Sequence, residues 1–394
     1  MVSVDEAKDI VRSNIEPLPP VTIPLEQASG YVLAEDVHAS VDIPAFPQSS
    51  MDGYALSFND YKPGKRLEIA GEVPAGVNRA FDNLSDKVIR IFTGAPVPEG
   101  ADTVVMQEKV AVENKELLIL DEQLTKGSNV RPKGSEIRAG ALALASGVFL
   151  SPAALGFLAG IGVSEVKVYA KPRITIIVTG KELQTPGEPL LPGQVYESNS
   201  ITIKAVLQQL NIVNAEVVLV DDDLEILENA LENALLTSDV VLLTGGISVG
   251  DYDFVLQATE HCGVKKLFHK IKQRPGKPLF FGKKGEKVVF GLPGNPSSVL
   301  TCFYEYVVPA VEQLTFRKSI IKVEHLPLIK ASTKKTGLTH FLKGLHNGKT
   351  VSPLDAQESF RLSSFARANC LIVLEENKEE FSEGDMVEVH LLPL

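Results

Sequence analysis

Residues 239–253 read DVVLLTGGISVGDYD, an apolar run that opens into a loop with glycines at 245, 246 and 250 and aspartates at 251 and 253. Two more Gly/Pro-punctuated loops follow, RPGKP (274–278) and GLPGNPSS (291–298), the second preceded by the apolar run KVVFGLPG (287–294). Such runs predict short buried strands, and loops at strand carboxyl ends are where open α/β sheets bind ligands. Glycines in those loops bare backbone N–H groups, and a helix start adds partial positive charge. With Lys277, Asp251 and Asp253 close by, the segment is expected to take a phosphorylated or oxyanionic ligand together with a hard cation. A bland reading stands beside each loop. TGGISVGDYD can be a strand-to-helix turn with a solvated Asp253, GLPGNPSS a rigid turn, and RPGKP a solvated charge pair.

The flanking sequence carries the same fold class outward. RITIIVTG (173–180) and AEVVLV (215–220) read as strands, residues 199–210 as a helix, and DDDLEILENALENALL (221–236) as a capped helix. A long apolar helix is expected from about Pro296 to Leu314. Strands alternating with helices indicate βαβ units and a largely parallel sheet. VTGKELQTPG (178–187) and VDDDLE (220–225) put Glu182 and Asp222 just past strand ends. If those strands neighbour the one leading to Gly246, both carboxylates face one crevice. Helix capping is the competing role for Asp222 or Asp223.

Elsewhere the pattern changes. Val4, Ala7, Val11 and Ile15 share a helical face behind Ser3, a plausible cap, and PLPP (17–20) ends that helix. From about 40 to 136, short β-like runs (KVIRIFTG, 87–94; TVVMQEKVAVE, 103–113; KELLILDE, 115–122) predict a small all-β domain. It contains SSMDGYA (49–55), where Asp52 is a functional acid or part of an Asp-Gly turn, and RIFTGAPVPEGAD (90–102), with Thr93 in a Gly-Pro loop. Residues 140–164 carry no charge. They predict a strand through 141–150, Ser151 as N-cap, Pro152 at the first helical position and a helix to about Ile161. At about 15 Å that helix is too short to span a bilayer, so it is expected in a core or a dimer interface. After Lys318 short strands return, with Asn347-Gly348 as a hairpin turn and VEVHLLPL (387–394) as the last strand.

Composition narrows the function. A chain of 394 residues suggests two to four domains, and its net charge of −11 argues against nucleic acid or an anionic membrane as main partner. Three cysteines in no close-spaced pattern and seven scattered histidines exclude a disulfide framework and make a Cys- or His-built metal centre improbable. MVSVDEAKDIVRSN has acidic residues where a signal peptide is basic, so a cytoplasmic location is expected.

Taken in order, SSMDGYA, TGAPVPEGAD, TGKEL, YESNS (196–200), GGISVGDYD, PGKP and GLPGNP resemble the molybdopterin molybdenumtransferase family, the molybdenum insertases that include the gephyrin E domain. The resemblance covers essentially the whole chain. It implies a multidomain α/β plus β protein: a helical linker domain (1–43 and 137–170), a small all-β domain (44–136), a molybdopterin-binding-like α/β domain (171–317) and a C-terminal β-barrel (318–394). It further implies a homodimer whose active sites lie between the α/β domain of one subunit and the β domain of the other.

The implied reaction takes adenylylated molybdopterin and molybdate with Mg²⁺ or a similar divalent cation, and gives molybdenum cofactor and AMP. Carried over by motif, Asp52, Thr93, Glu182, Asp222 and Asp253 are the implied catalytic residues, with Glu182, Asp222 and Asp253 as cation ligands. Arg131, Glu136, Ser248, Gly250, Arg274, Lys277, Pro293, Asn295, Pro296, Ser297, Lys343 and Ser359 are the implied substrate contacts. Four positions depart from the family pattern. Glu136 stands for the usual Asp, Lys181 for Asp or Asn, Arg274 for Lys and Lys343 for Arg. Transient contacts with the adenylyltransferase and with recipient molybdoenzymes also follow from the resemblance. The rival readings are that adenylyltransferase itself, whose loop resembles T-G-G-T-G, and a non-catalytic scaffold on the same fold.

Overall fold

The computed structural model describes residues 1–77, 79–81, 84–245 and 254–393. They form two compact units, one of Met1–Ile23, Ala28–Ala34 and Lys167–Leu394, the other of Pro24–Gln27 and Glu35–Val166.

The first unit is built on a six-stranded sheet of β1 (Ile174–Thr179), β2 (Glu216–Val220), β3 (Val240–Thr244), β4 (Lys265–His269), β5 (Phe280–Lys284) and β6 (Lys287–Leu292). Their order across the sheet is β2-β1-β3-β6-β5-β4. The first four run parallel, and β5 and β4 are added antiparallel at one edge. The largely parallel sheet read from the sequence is therefore present. β1 is buried at every residue, as expected of a strand covered on both faces. Ile174, Ile176 and Val178 enter one core with Val4, Ala7 and Val11 of the N-terminal helix, while Ile177 enters the other with Leu227, Leu231 and Val255. That alternation is the period of two of a strand with helices above and below it.

The helices begin where side chains satisfy them. Ser3 and Glu6 form a capping box on Val4–Ser13, and Asp223 caps Leu224–Thr237 by accepting from the N–H of Ile226. The apolar helix expected at 296–314 is continuous but not uniform: α-helix Pro296–Cys302, a π-helical turn Phe303–Val307, then α-helix Val308–Leu314. Pro309 supplies the reason, because it has no N–H and its ring crowds the carbonyl four residues back, which a wider turn accommodates. After it, Thr339–His346, Cys370–Leu374, Met386–Leu391 and Lys322–Pro327 form an antiparallel sheet in that order. Gln273–Arg274 joins its edge parallel to Thr339–His346, so the RPGKP loop is tied to this sheet as well. The Asn347-Gly348 turn is present, with Asn347 Oδ1 accepting from the N–H groups of Lys349 and Thr350.

The second unit holds another six-stranded sheet, ordered Thr103–Met106, Gly53–Leu56, Lys87–Ile91, Arg66–Val73, Glu116–Ile119 and Val110–Glu113. Two expectations change here. The strand foreseen through 141–150 is only Leu142–Leu144, because a turn at 145–148 with Gly147 at φ +83° ends it. The helix Pro152–Gly160 starts as foreseen, with Ser151 accepting from the N–H of Ala154, but it is not a core helix: Leu158 is its only buried residue. No helix among the described residues is long and apolar enough to cross a membrane.

Candidate functional site

In the first unit β1 lies between β2 and β3, so the chain leaves β1 first to one side and then to the other. The crevice outside the carboxyl ends of such a switch point is where doubly wound sheets bind ligands. Thr179 ends β1, and its Oγ1 donates to Asp222 Oδ1 beyond the end of β2. Asp223 caps the following helix. The alternatives left open for these adjacent aspartates thus separate, with one a cap and the other held at the crevice by a hydroxyl.

Glycine makes the strand ends converge. Gly245, just after β3, has φ +88°, and a Cβ there would lie 1.9 Å from Thr179 O. A Cβ on Gly294 would lie 3.9 Å from Gly245 Cα, ordinary contact that brings the exit of β6 against that of β3. Asn199 joins them by donating through Nδ2 to Thr244 Oγ1 and Gly294 O, both at 3.0 Å. A cavity of about 340 Å³ opens beside these ends, lined among others by Gly180, Gln184, Glu197 and Asp221. Glu182 and Lys181 are exposed after β1. Ser248, Gly250 and Asp253, named from the sequence, lie outside the described residues.

The 291–298 loop is arranged differently from the expectation. Asn295 stands at the N-cap position and Pro296 at the first helical position, where it lacks an N–H. The Ser297 N–H, one of the donors expected for an oxyanion, already donates to Ser359 O at 3.0 Å, and Asn295 Nδ2 donates to Ser359 Oγ at 3.0 Å. Ser297 Oγ is buried with no hydrogen-bond partner among the described residues. Pro293 is buried, while Arg274 and Lys277 are exposed and available to an anion.

Lys343 is the clearest correction among the expected substrate contacts. It is 2% exposed, and its Nζ donates to the carbonyls of Ala356 (2.8 Å), Arg361 (3.1 Å) and Glu358 (3.4 Å). Burial lowers its pKa, as expected for a cation met by carbonyls in a low-dielectric setting. Lys343 is a strut beneath the segment that carries Ser359, and its three donors are used there.

The second unit brings Asp52 and Thr93 together. The antiparallel pairing of Gly53 with Ile91 aligns the two segments, and a Cβ on Gly53 would lie 1.9 Å from Val105 O. Gly53 is therefore required inside a strand, not only in the Asp-Gly turn that the sequence left open. Asp52 Oδ1 accepts from both the N–H and the Oγ1 of Thr93, each at 2.8 Å. The Thr93 N–H, then its hydroxyl, then the charge of Arg90 hold the Asp52 carboxyl below its ordinary range despite slight desolvation. Arg90 itself lies over the rings of Tyr54 and Phe92, at 5.0 and 5.1 Å, and donates to Gly53 O at 3.3 Å. Arg131 pairs with Gln48 on the strand that leads towards Asp52. Glu136 is exposed, with its N–H on Ile43 O at 2.9 Å, and no contact joins it to Asp52 or Thr93 among the described residues.

Thr179, Asn199 and Arg90 were not singled out from the sequence. A threonine closing an apolar run and an asparagine inside YESNS are the only marks the first two leave. The chemistry on offer is that of oxygen donors and cations. Cys262, Cys302 and Cys370 are all buried, and burial pushes the thiols up, Cys262 to about 11 and Cys370 to about 12. No group of three His, Cys, Asp or Glu side chains among the described residues is placed to hold a metal ion.

Comparison with known proteins agrees along the length of the chain. Residues 2–162 match the MoeA N-terminal region (domain I and II), 175–313 the probable molybdopterin binding domain and 326–392 the MoeA C-terminal region (domain IV). A molybdopterin molybdenumtransferase of Haemophilus influenzae is 33% identical over 405 residues, covering 100% of both chains. One from Staphylococcus aureus is 31% identical, covering 99% of this chain and 95% of that one. The crystal structure of a molybdopterin biosynthesis MoeA protein from Pyrococcus horikoshii superposes with a TM-score of 0.82 at 31% identity over 99% of each chain. The chain belongs to the molybdopterin molybdenumtransferase family.

Proposed function

We propose that this protein transfers molybdenum from molybdate to adenylylated molybdopterin, cleaving the phosphoanhydride and releasing AMP. The observation that carries the reading is the convergence of the β1, β3 and β6 exits, which requires glycine at position 245, with Asp222 held at the same end of the sheet. Exposed Arg274 and Lys277 neutralise phosphate and molybdate charge, and Asp52 and Thr93 supply an ionised carboxylate and a hydroxyl. The dithiolene sulfurs belong to the substrate, so buried, protonated cysteines are no obstacle.

Magnesium is held by one or two carboxylates plus phosphate oxygens more often than by a full protein cage. Glu182 and Asp222 fit that demand as oxygen donors at neighbouring strand ends, and Asp253 is the third carboxylate we assign to it. When bound, the cation supplies charge neutralisation at the phosphates. Glu182 and Asp222 orient that charge, Asp222 with one oxygen already fixed by Thr179.

The same reading makes the protein a cytoplasmic homodimer with its sites between subunits. Its transient partners are the adenylyltransferase that supplies the substrate and the apoenzymes that receive the product. The uncovered apolar helix Pro152–Gly160 is the face we assign to the second copy, and sedimentation of the purified protein tests it.

The deciding experiment mixes purified protein with adenylylated molybdopterin, molybdate and Mg²⁺ and follows AMP release and active cofactor. AMP release no faster than that of Asp253→Ala rejects the enzyme reading.

A further inference from the structure

Beneath the RPGKP loop lies a polar pair that the reaction above does not use. Gln273 and Tyr306 are each 0% exposed, and the Tyr306 hydroxyl donates to Gln273 Oε1. Gln273 Nε2 in turn donates to Pro275 O at 3.0 Å and Gly276 O at 3.3 Å. Cys302 Sγ, 3.6 Å from Gly276 O, is a second donor to the same carbonyl. Burying a phenol and an amide is unfavourable unless their polar atoms are matched, and here the match is made with the backbone of one loop.

The loop is pressed against this pair. Gly276 has φ +84°, and a Cβ there would lie 2.3 Å from Cys302 Sγ and 2.9 Å from Gln273 Nε2. The peptides after Pro275 and Gly276 are trans, so each carbonyl points opposite to the N–H that follows it. Drawing Pro275 O and Gly276 O towards Gln273 therefore turns the N–H groups of Gly276 and Lys277 away from the buried pair. Arg274 and Lys277 stand exposed on either side of them. Tyr306 comes from the π-helical turn of the 296–314 helix, and π-helical turns concentrate at functional sites. Gln273 is fixed from the other side by its register opposite Thr339.

We propose that Tyr306 and Gln273 are positioning residues for the 274–278 loop, setting where the Arg274 and Lys277 cations meet the anionic substrate. This rests on the insertase reading for the identity of that substrate. Neither residue touches the reacting atoms; both act through the loop backbone.

Tyr306→Phe removes one hydroxyl, and Gln273→Met removes the amide at nearly constant volume. Each is expected to raise KM for adenylylated molybdopterin about tenfold with kcat within about twofold of wild type, the signature of lost binding rather than lost chemistry. Amide exchange at Gly276 and Lys277 is expected to quicken while the β1 and β3 amides keep wild-type rates. Unchanged KM and unchanged loop exchange in both variants overturn the proposal, as does loss of kcat with KM unaltered. Should Tyr306→Phe fail to fold, Gln273→Met decides the same question. Wild-type AMP release is the separate control. Its absence rejects the insertase reading, while loop exchange still tests the positioning role without turnover.

Discussion

Asp52 and Glu305 are held in opposite ways. Asp52 is partly exposed, and one of its oxygens accepts two bonds from the uncharged N–H and hydroxyl of Thr93. Glu305 is 2% exposed inside the π-helical turn, with Lys8 Nζ at 2.7 Å from one oxygen and His390 Nδ1 at 2.7 Å from the other. His390 Nε2 reaches on to Glu388 at 2.8 Å. The difference separates two uses of a carboxylate. Neutral donors fix the position of Asp52 and leave its charge for a ligand, whereas the cations around Glu305 cancel its charge and tie the N-terminal helix to the C-terminal strand. A division between free and structural groups also separates Asp222 from its neighbour Asp223 and exposed Lys277 from buried Lys343, although there the structural member is held by neutral backbone groups.

The contrast is most exposed to failure at Glu305. Replacing it with Ala leaves Lys8 and His390 without their shared partner, a loss of about 3–5 kcal/mol for a broken buried pair, read by denaturant unfolding. Asp52→Ala should leave the unfolding curve where it is and abolish AMP release. A Glu305→Ala midpoint close to wild type would erase the distinction. The pH dependence gives a second reading. Burial opposes the charged forms, but Lys8 and His390 bring Glu305 down to about 2, and the charge and hydrogen bond of Glu305, with help from Glu388, raise His390 to about 9. The His390 contribution is complete below its unfolded value near 6.5 and is lost as pH rises through about 9; the Glu305 contribution is complete above about 4.5 and is lost as pH falls through about 2. Stability from this group should therefore be flat between those unfolded values and decline on either side of them, and Glu305→Ala should lessen the alkaline decline to the part that Glu388 sustains.

A smaller loss is expected at Lys343. Lys343→Met strands three carbonyls, a loss of about 1–3 kcal/mol, and frees the segment that presents Ser359 to Ser297 and Asn295. KM should rise with it. A variant that binds substrate normally despite the lost stability would confine Lys343 to structure alone.

How far the sequence carried these distinctions depends on the range of the contacts behind them. β1, β3 and β6 were legible because each is a largely apolar run that leads to a glycine, whereas the Glu182–Asp222 crevice was conditional on both preceding strands neighbouring β3, which the sheet order meets for β1 alone, with β2 one strand further out. The choice between Asp222 and Asp223 was not legible, since it turns on Thr179, more than forty positions earlier in the chain, donating across the sheet. Lys343 was named only through the resemblance, as a substrate contact standing for an Arg. Its burial comes from a segment that folds back over it, which no local periodicity records. For the same reason the helix start at Ser297 reads as open to an anion in sequence, although Ser359 O accepts its N–H in the fold.

The paired aspartates give a finer test. Asp223→Ala loses a helix cap, about 1 kcal/mol of stability, and should leave AMP release intact. Asp222→Ala should do the reverse, sparing the unfolding midpoint and raising the Mg²⁺ concentration needed for activity. Exchange of these phenotypes would mean that the Thr179 contact does not mark the functional acid.

The smallest structural change is Thr93→Val, which keeps the N–H on Asp52 and deletes the hydroxyl. Nothing buried is stranded, so the unfolding curve should not move. The stronger of the two bonds that depress the Asp52 carboxyl remains, but losing the weaker one raises its pKa towards the ordinary value. If Asp52 works as a carboxylate, the acid limb of the kcat profile should shift to higher pH, and Thr93→Ser should restore it. An acid limb that stays in place with kcat reduced at every pH would assign Thr93 a direct contact with substrate instead. The neutral donor would then serve the ligand and not the acid, and Asp52 would owe its position to the Thr93 backbone alone.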